Sequence, residues 1–305
     1  MNLTTNIAGI ELKNPIISTP GPITSYTSSS LKINSFGAVV ARAGGKYMLG
    51  EKIINIENHN PKVLCEAPHG LINAIALESD GLNDLITKEL PYLKKFDTKI
   101  IANVYGSTTS EYLEVSQKLE DEPIDFIELN ISCPNIEGGI AFGTDPNAVE
   151  SLVSTVKKNI KKPVIVKLSP NVSYITEIAK AAESGGADSL SMINTVYGLT
   201  IDTKLKKTTL KTGFGGYSGP GIMPIALYAV HECYKAVNIP IIGIGGISTF
   251  NDALQFLMAG AMAIGLGSVL KNKLNASSEI LHELEMYMTT NKISSIKEIV
   301  GAVHN

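Results

Sequence analysis

The sequence predicts an α/β chain folded as a single (β/α)₈ TIM barrel, with residues 1–305 forming one domain. Three observations carry this. Eight short β-branched runs recur along the chain, each closed by Gly, Pro, Asn or Ser. Several are apolar almost without interruption, the pattern of strands buried on both faces of a parallel sheet. Between them lie segments whose apolar residues fall three and four apart, as on one face of a helix. A doubly wound sheet would rarely need so many strands of this kind.

In chain order the runs are NPIIS (14–18), GAVVAR (37–42), KIIANVYG (99–106), DFIELNIS (125–132), PVIVKLS (163–169), ADSLSMINT (187–195), IPIIGIGGI (239–247) and AMAIGLGS (261–268). Ahead of the first, TTNIAGIELK reads as a hairpin turning at Ala8 and Gly9, placed to close the barrel floor. SEYLEVSQKL, PNAVESLVSTVKKNI, SYITEIAKAAESG, PIALYAVHECYKA and TFNDALQFLMAG read as helices. Pro146 suits a first helical turn, and Gly185 and Gly260 suit helix ends. Insertions at 43–80 and 196–221 follow the second and sixth strands. Both leave the C-terminal ends of strands, the face on which barrel enzymes build their sites.

Lys plus Arg total 26 against 29 Asp plus Glu, a net charge of −3, and charged residues make up 18%. That balance suits neither a basic nucleic-acid binder nor an acidic tail, so no nucleic-acid partner is expected. No run approaches the ~18 apolar residues of a membrane helix, and MNLTTNIAGIELKNP lacks a signal's basic start and apolar core. A cytoplasmic protein with no membrane partner is the expectation. Cys65, Cys133 and Cys233 stand far apart with no CxxC, which argues against a disulfide framework and against a metal site.

Four groups of residues carry chemistry. Gly243, Gly245 and Gly246, then Gly265, Gly267 and Ser268, follow the last two strands, where bare backbone N–H groups form the common phosphate cradle of barrels. NISCPN, Asn130 to Asn135, places the Cys133 thiol among amides and a hydroxyl at the end of the fourth strand, fit to act as base or nucleophile. Cys65 and Cys233 read as inert packing thiols, and no histidine offers a triad. Lys167 is the one charged residue of VIVKLSP, so it points into the barrel mouth or is buried at great cost. It suits a Schiff base or a cation that stabilises charge developing on a cofactor. Asn73, Asn130, Asn135 and Asn194 each offer a donor and an acceptor, matching the alternating N–H and C=O edge of a pyrimidine or imide ring.

ELNISCPN, followed by GGIAFGTDP (138–146), VKLSPN (166–171), MINT (192–195), GGYSGP (215–220), IPIIGIGGI and GLGS, resembles the class 1 dihydroorotate dehydrogenases, most closely the NAD-linked B type. The similarity runs through essentially the whole chain in order. It implies an FMN-containing barrel that oxidises (S)-dihydroorotate to orotate in pyrimidine biosynthesis. Cys133 would be the base that removes the C5 proton while hydride leaves C6 for the flavin N5. A thiol pKa of ~8.5 needs lowering, or help from the substrate, for that role at neutral pH. Lys167 would face the flavin N1 and C2 carbonyl and stabilise the reduced ring. Asn73, Asn130, Asn135, Asn194 and Thr195 would hold the substrate. Gly21, Arg42, Asn103, Asn130, Lys167, Gly216, Gly245, Gly246, Gly267 and Ser268 would hold FMN. Residues 196–221 would carry a loop that closes over the substrate.

The resemblance further implies a homodimer and an electron-transfer subunit carrying FAD and a [2Fe–2S] cluster, for which this chain has no cysteine set of its own. Two positions depart from the family pattern. Arg42 stands where the family usually has a lysine that contacts flavin and substrate, with Lys46 as a substitute if the insertion shifts the alignment. Glu78, within Ala76–Ser79, brings a carboxylate near the expected substrate end. These leave open a relative acting on another dihydropyrimidine-like ring or an enoate. A flavin-free lyase built on Lys167 and a non-catalytic flavoprotein scaffold also remain open.

Overall fold

The structure is a computed structural model that describes residues 1–21, 32–44, 63–74, 81–131 and 139–304. Its centre is a closed barrel of eight parallel strands. They are β1 (Ile16–Ser18), β2 (Ala38–Gly44), β3 (Lys99–Val104), β4 (Phe126–Asn130), β5 (Val164–Lys167), β6 (Ser189–Met192), β7 (Ile241–Ile244) and β8 (Ala263–Leu266). Each pairs with the next in sequence, and β8 returns to β1 through Ile264↔Ile16. Seven lie inside the runs read from the sequence, β2 runs two residues past its run to Gly44, into the span read as an insertion, and closure excludes the doubly wound alternative.

Alternation along each strand divides the apolar residues between two cores. Ile16, Val39, Ile100, Ile127, Val166 and Leu190 join the helices in the outer core. Ile17, Val40, Ile101, Phe126, Ile165 and Ile242 belong to a separate inner cluster that also takes in Ile7 and Leu12. Those last two come from the hairpin Thr5–Ile7 and Ile10–Leu12, which stops the floor of the barrel. Its turn has φ of 51° at Ala8 and 85° at Gly9, the two positive values that a two-residue turn of this hand requires.

The same device steadies two strand entries. Asp125, just before β4, accepts from Ile100 N at 2.8 Å, and Asp188, just before β6, accepts from Val164 N at 2.7 Å and Lys157 Nζ at 2.6 Å. Helices Thr109–Leu119, Pro146–Lys157, Ile175–Ser184, Met223–Ala236 and Phe250–Met258 match the periodic segments. Pro146 sits in the first turn behind the Asp145 cap, and Thr249 with Asp252 forms a capping box. Gly260 has a φ of 113°, as a helix end asks. At Gly185 the reason differs: its φ is −69°, the left-handed residue is Gly186 at 95°, and a Cβ on Gly185 would lie 2.8 Å from Glu150 O. Helices Gly139–Thr144 and Ala276–Thr290, and the helical stretch 81–93 with its wider turn at Leu85–Glu89, were not foreseen.

The two insertions fold together. Leu64–Ala67, Gly70–Asn73, Gly215–Ser218 and Val196–Gly198 form one antiparallel sheet in that spatial order. It joins the segment after β2 to the segment after β6. No helix among the described residues is long and apolar enough to cross a membrane.

Candidate active site

Above the apolar floor the inward positions turn polar. The alternation that points Phe126 inward does the same for Glu128 and Asn130, and likewise for Arg42, Asn103, Lys167 and Ser191 on their strands. Register sets them side by side: Arg42 pairs with Asn103, Asn103 with Glu128, Asn130 with Lys167, and Lys167 with Ser191. Lys167 is only 6% exposed at the last position of β5, as its place in an apolar strand foretold. Its burial requires compensating partners, and this layer is polar where the floor is not.

Two contacts fix the edges of that layer. Tyr112, buried in Thr109–Leu119, donates its hydroxyl to Asn130 O at 2.8 Å and so holds the end of β4. Arg42 lies against Gly21, where a Cβ would come within 2.6 Å of its Nη2. A side chain there would push the guanidinium aside, and the φ of 113° at Gly21 itself favours glycine.

The sheet built by the insertions gathers a second group. Asn73 donates Nδ2 to Gly216 O at 3.1 Å, and the two are paired in register. A Cβ on Gly216 would lie 2.2 Å from Thr195 Oγ1, so Asn73, Gly216 and Thr195 form one cluster. Asn194 folds its Oδ1 onto Thr195 N at 2.8 Å, and its own N donates to Leu168 O at 3.0 Å. Asn171, passed over in the sequence, ties this group to the end of β5: its Nδ2 donates to Thr195 O and its Oδ1 accepts from Tyr197 N, each at 3.0 Å.

The glycines after the last two strands sit at the same end of the barrel. Gly245 and Gly246 follow β7 with φ of 137° and 77°. A Cβ on Gly246 would meet Met223 Cβ at 2.8 Å and Gly219 O at 2.9 Å, so close packing of the next turn is part of their purpose. Gly267 follows β8 against Thr19, whose N donates to Leu266 O at 2.9 Å, and Ser268 opens a short 3₁₀ turn. Thr19 was not singled out beforehand.

Cys133 and Asn135 lie outside the described residues, as do Lys46 and Glu78. Asn130, three positions before Cys133, closes a strand at the mouth. Cys233 is the inert thiol expected: it is buried in Met223–Ala236, where burial, reinforced by Glu232, pushes its pKa up to about 12. Cys65 is half-buried with Sγ 3.2 Å from Thr200 Oγ1. Among the described residues, no group of three His, Cys, Asp or Glu could hold a metal ion.

A closed barrel whose C-terminal mouth presents cations, amides and bare glycines has the arrangement of a barrel enzyme's site. Comparison with known proteins narrows this. The family model for dihydroorotate dehydrogenase matches residues 2–288. The dihydroorotate dehydrogenase B (NAD⁺) catalytic subunit of Caldicellulosiruptor bescii is 44% identical over 308 residues, covering 100% of both chains. Proteins of the same description from Alkaliphilus metalliredigens and Caldicellulosiruptor saccharolyticus are 41% and 43% identical, covering 99% and 100% of both chains. The chain belongs to the dihydroorotate dehydrogenase family, in class 1 and of the B type, and is an oxidoreductase of pyrimidine biosynthesis. Similarity along the full length to B-type subunits does not favour the alternative of another substrate.

Proposed function

We propose that this chain is the FMN-bearing subunit that oxidises (S)-dihydroorotate to orotate, with Cys133 as general base. The observation that carries the reading is the inward polar layer in which Lys167 and Asn130 are paired across β5 and β4, next to Asn103 and Arg42. Two cations and two amides on rigid strands suit a flat ring edged with carbonyl and imide groups. At Gly21 and Gly267 the bare backbone lets Arg42 and Thr19, respectively, approach where a Cβ would press on them. FMN, when bound, supplies the hydride acceptor.

The chain's own residues have separate tasks. The Cys133 thiolate takes the C5 proton of dihydroorotate as hydride departs from C6. Lys167 would hold a fixed positive charge toward the bound flavin and favour its reduced form. Arg42, Asn103 and Gly21 would hold the same end of the cofactor, and Gly216, Gly245, Gly246, Gly267 and Ser268 would hold its ribityl and phosphate groups. Asn73, Asn130, Asn135, Asn194 and Thr195 orient the substrate, and the sheet of insertions keeps water from it. Electrons leave through a partner subunit carrying FAD and a [2Fe–2S] cluster, and the catalytic chain acts as a cytoplasmic homodimer. The relatives' description as catalytic subunits supports a separate partner.

Cys133→Ser tests the reading, because serine keeps the shape and loses the acidity. Anaerobic mixing with dihydroorotate is expected to reduce the flavin at least 100-fold more slowly than in the parent, about the value of one general base, with FMN still bound. Reduction at the parental rate would remove Cys133 from the mechanism.

A further inference from the structure

Between the apolar floor and the ligand layer sits a carboxyl group that the reaction above does not use. Glu128 points into the barrel and is 2% exposed. Both of its oxygens are engaged: Oε1 accepts from Asn103 Nδ2 at 2.5 Å, and Oε2 accepts from Ser191 Oγ at 2.6 Å. Its place follows from register. Asn103 is its direct partner on β3, and Asn130, two residues further along β4, pairs with Lys167. At about 3.3 Å per strand residue, Glu128 lies roughly 6.6 Å below Asn130 along β4, in register with Asn103 on β3. Under it are Phe126, Ile101, Ile165 and Ile242. Burial of a carboxyl group there carries a cost that an apolar residue would avoid, so its retention calls for a specific use.

We propose that Glu128 is a positioning residue for the cofactor end of the site, acting through Asn103; this deepens the FMN reading above and rests on it. An amide side chain has two faces, one donating and one accepting, and nothing in its shape decides which is turned to the ligand. A carboxylate is an acceptor only. By taking Nδ2, Glu128 commits the Asn103 oxygen to the other side as an acceptor. Among the described residues no donor reaches that oxygen. It is left for an N–H of the kind an imide ring carries between its two carbonyls. Ser191 holds the second carboxyl oxygen, so Glu128 itself cannot swing. The device thus selects a ring that presents a donor at this point, and it is set before the ligand arrives.

A double-mutant cycle on the full-length protein separates this role from simple support of the barrel. Glu128→Gln is nearly isosteric but brings its own amide donor, so Asn103 loses its fixed sense. The FMN dissociation constant, read by flavin fluorescence, is expected to rise about tenfold or more in Glu128→Gln, the range for one hydrogen bond to a charged group. It should rise comparably in Asn103→Ala, and the double variant should be no worse than Asn103→Ala alone, since Glu128 acts through that residue. The flavin absorption bands should change shape in both single variants. They should stay in place in Ile165→Val, which loosens the floor without touching the polar layer. If Glu128→Gln fails to fold, Ser191→Ala frees the same carboxyl group and should weaken FMN binding in the same sense. Unchanged affinity, strictly additive losses, or an Ile165→Val spectrum altered like that of Glu128→Gln would overturn the proposal. A parent protein that binds no FMN would overturn the reading beneath it, and the proposal with it.

Discussion

Replacing Gly216 by alanine tests whether the sheet of insertions shapes the active site. The added Cβ would lie 2.2 Å from Thr195 Oγ1 and 2.8 Å from Thr195 Cβ. Opening 2.2 Å to the 3.4 Å of ordinary contact takes a displacement of 1.2 Å, and with Thr195 Cβ also in the way a rotamer change alone does not provide it. Backbone must move at Gly216, at Thr195, or at both. Gly216 is the register partner of Asn73, and Thr195 N is the group that Asn194 holds, so three proposed substrate contacts shift together. A misplacement of about 1 Å costs on the order of 100-fold in rate. Overpacking of this kind costs about 1–3 kcal/mol of stability, which a barrel of this size survives at room temperature. The expected result of steady-state assays with dihydroorotate in the presence of saturating added FMN is kcat/KM lower by about 100-fold, with a folded protein by circular dichroism. Parental kcat/KM in a variant carrying the alanine would show that this cluster does not enclose the substrate.

Other expectations follow from the cores and the thiols. Phe126→Ala empties the centre of the barrel floor and should lower unfolding stability in urea by about 3–5 kcal/mol; a loss under about 1 kcal/mol would mean the floor is not packed as described. Cys233, with its pKa pushed up to about 12 by burial, should resist iodoacetamide in the native protein at pH 8, as peptide mass spectrometry would show. The sign of its pH effect is fixed: unfolding lets the thiol ionise above its ordinary 9.0, whereas the folded chain keeps it protonated to about 12. Its contribution to stability is therefore full below the first value and is lost on going up to the second, by about 1.4 kcal/mol per pH unit. Cys233→Ala should abolish that part of the slope, and an unchanged alkaline profile would contradict the assignment.

What could be read from the sequence was what is written locally. Each barrel strand lies in a short β-branched run closed by a turn residue, and the hairpin declares itself at Ala8 and Gly9, so both appear close to where expected. Lys167 was legible because a charge in VIVKLSP has few places to go. Glu128 carried the same signal in DFIELNIS and was missed, because its meaning emerges only when register puts it against Asn103 and below Lys167. The sheet of insertions was not legible either. Its strands have three or four residues, too few for periodicity, and they pair across the chain: Asn73 and Gly216 are 143 residues apart. Gly185 shows a subtler limit, since the pattern marks a helix end without saying whether conformation or space requires the glycine. Cys133, the centre of the proposed chemistry, rests on its motif and on its place just beyond Asn130.

The most direct test of the account is an anaerobic absorbance titration of the purified protein with dihydroorotate. The account predicts a yellow protein whose flavin bands bleach as dihydroorotate is added, with orotate formed in equal amount to the flavin reduced. A colourless protein, or bound flavin that dihydroorotate leaves fully oxidised, would contradict it.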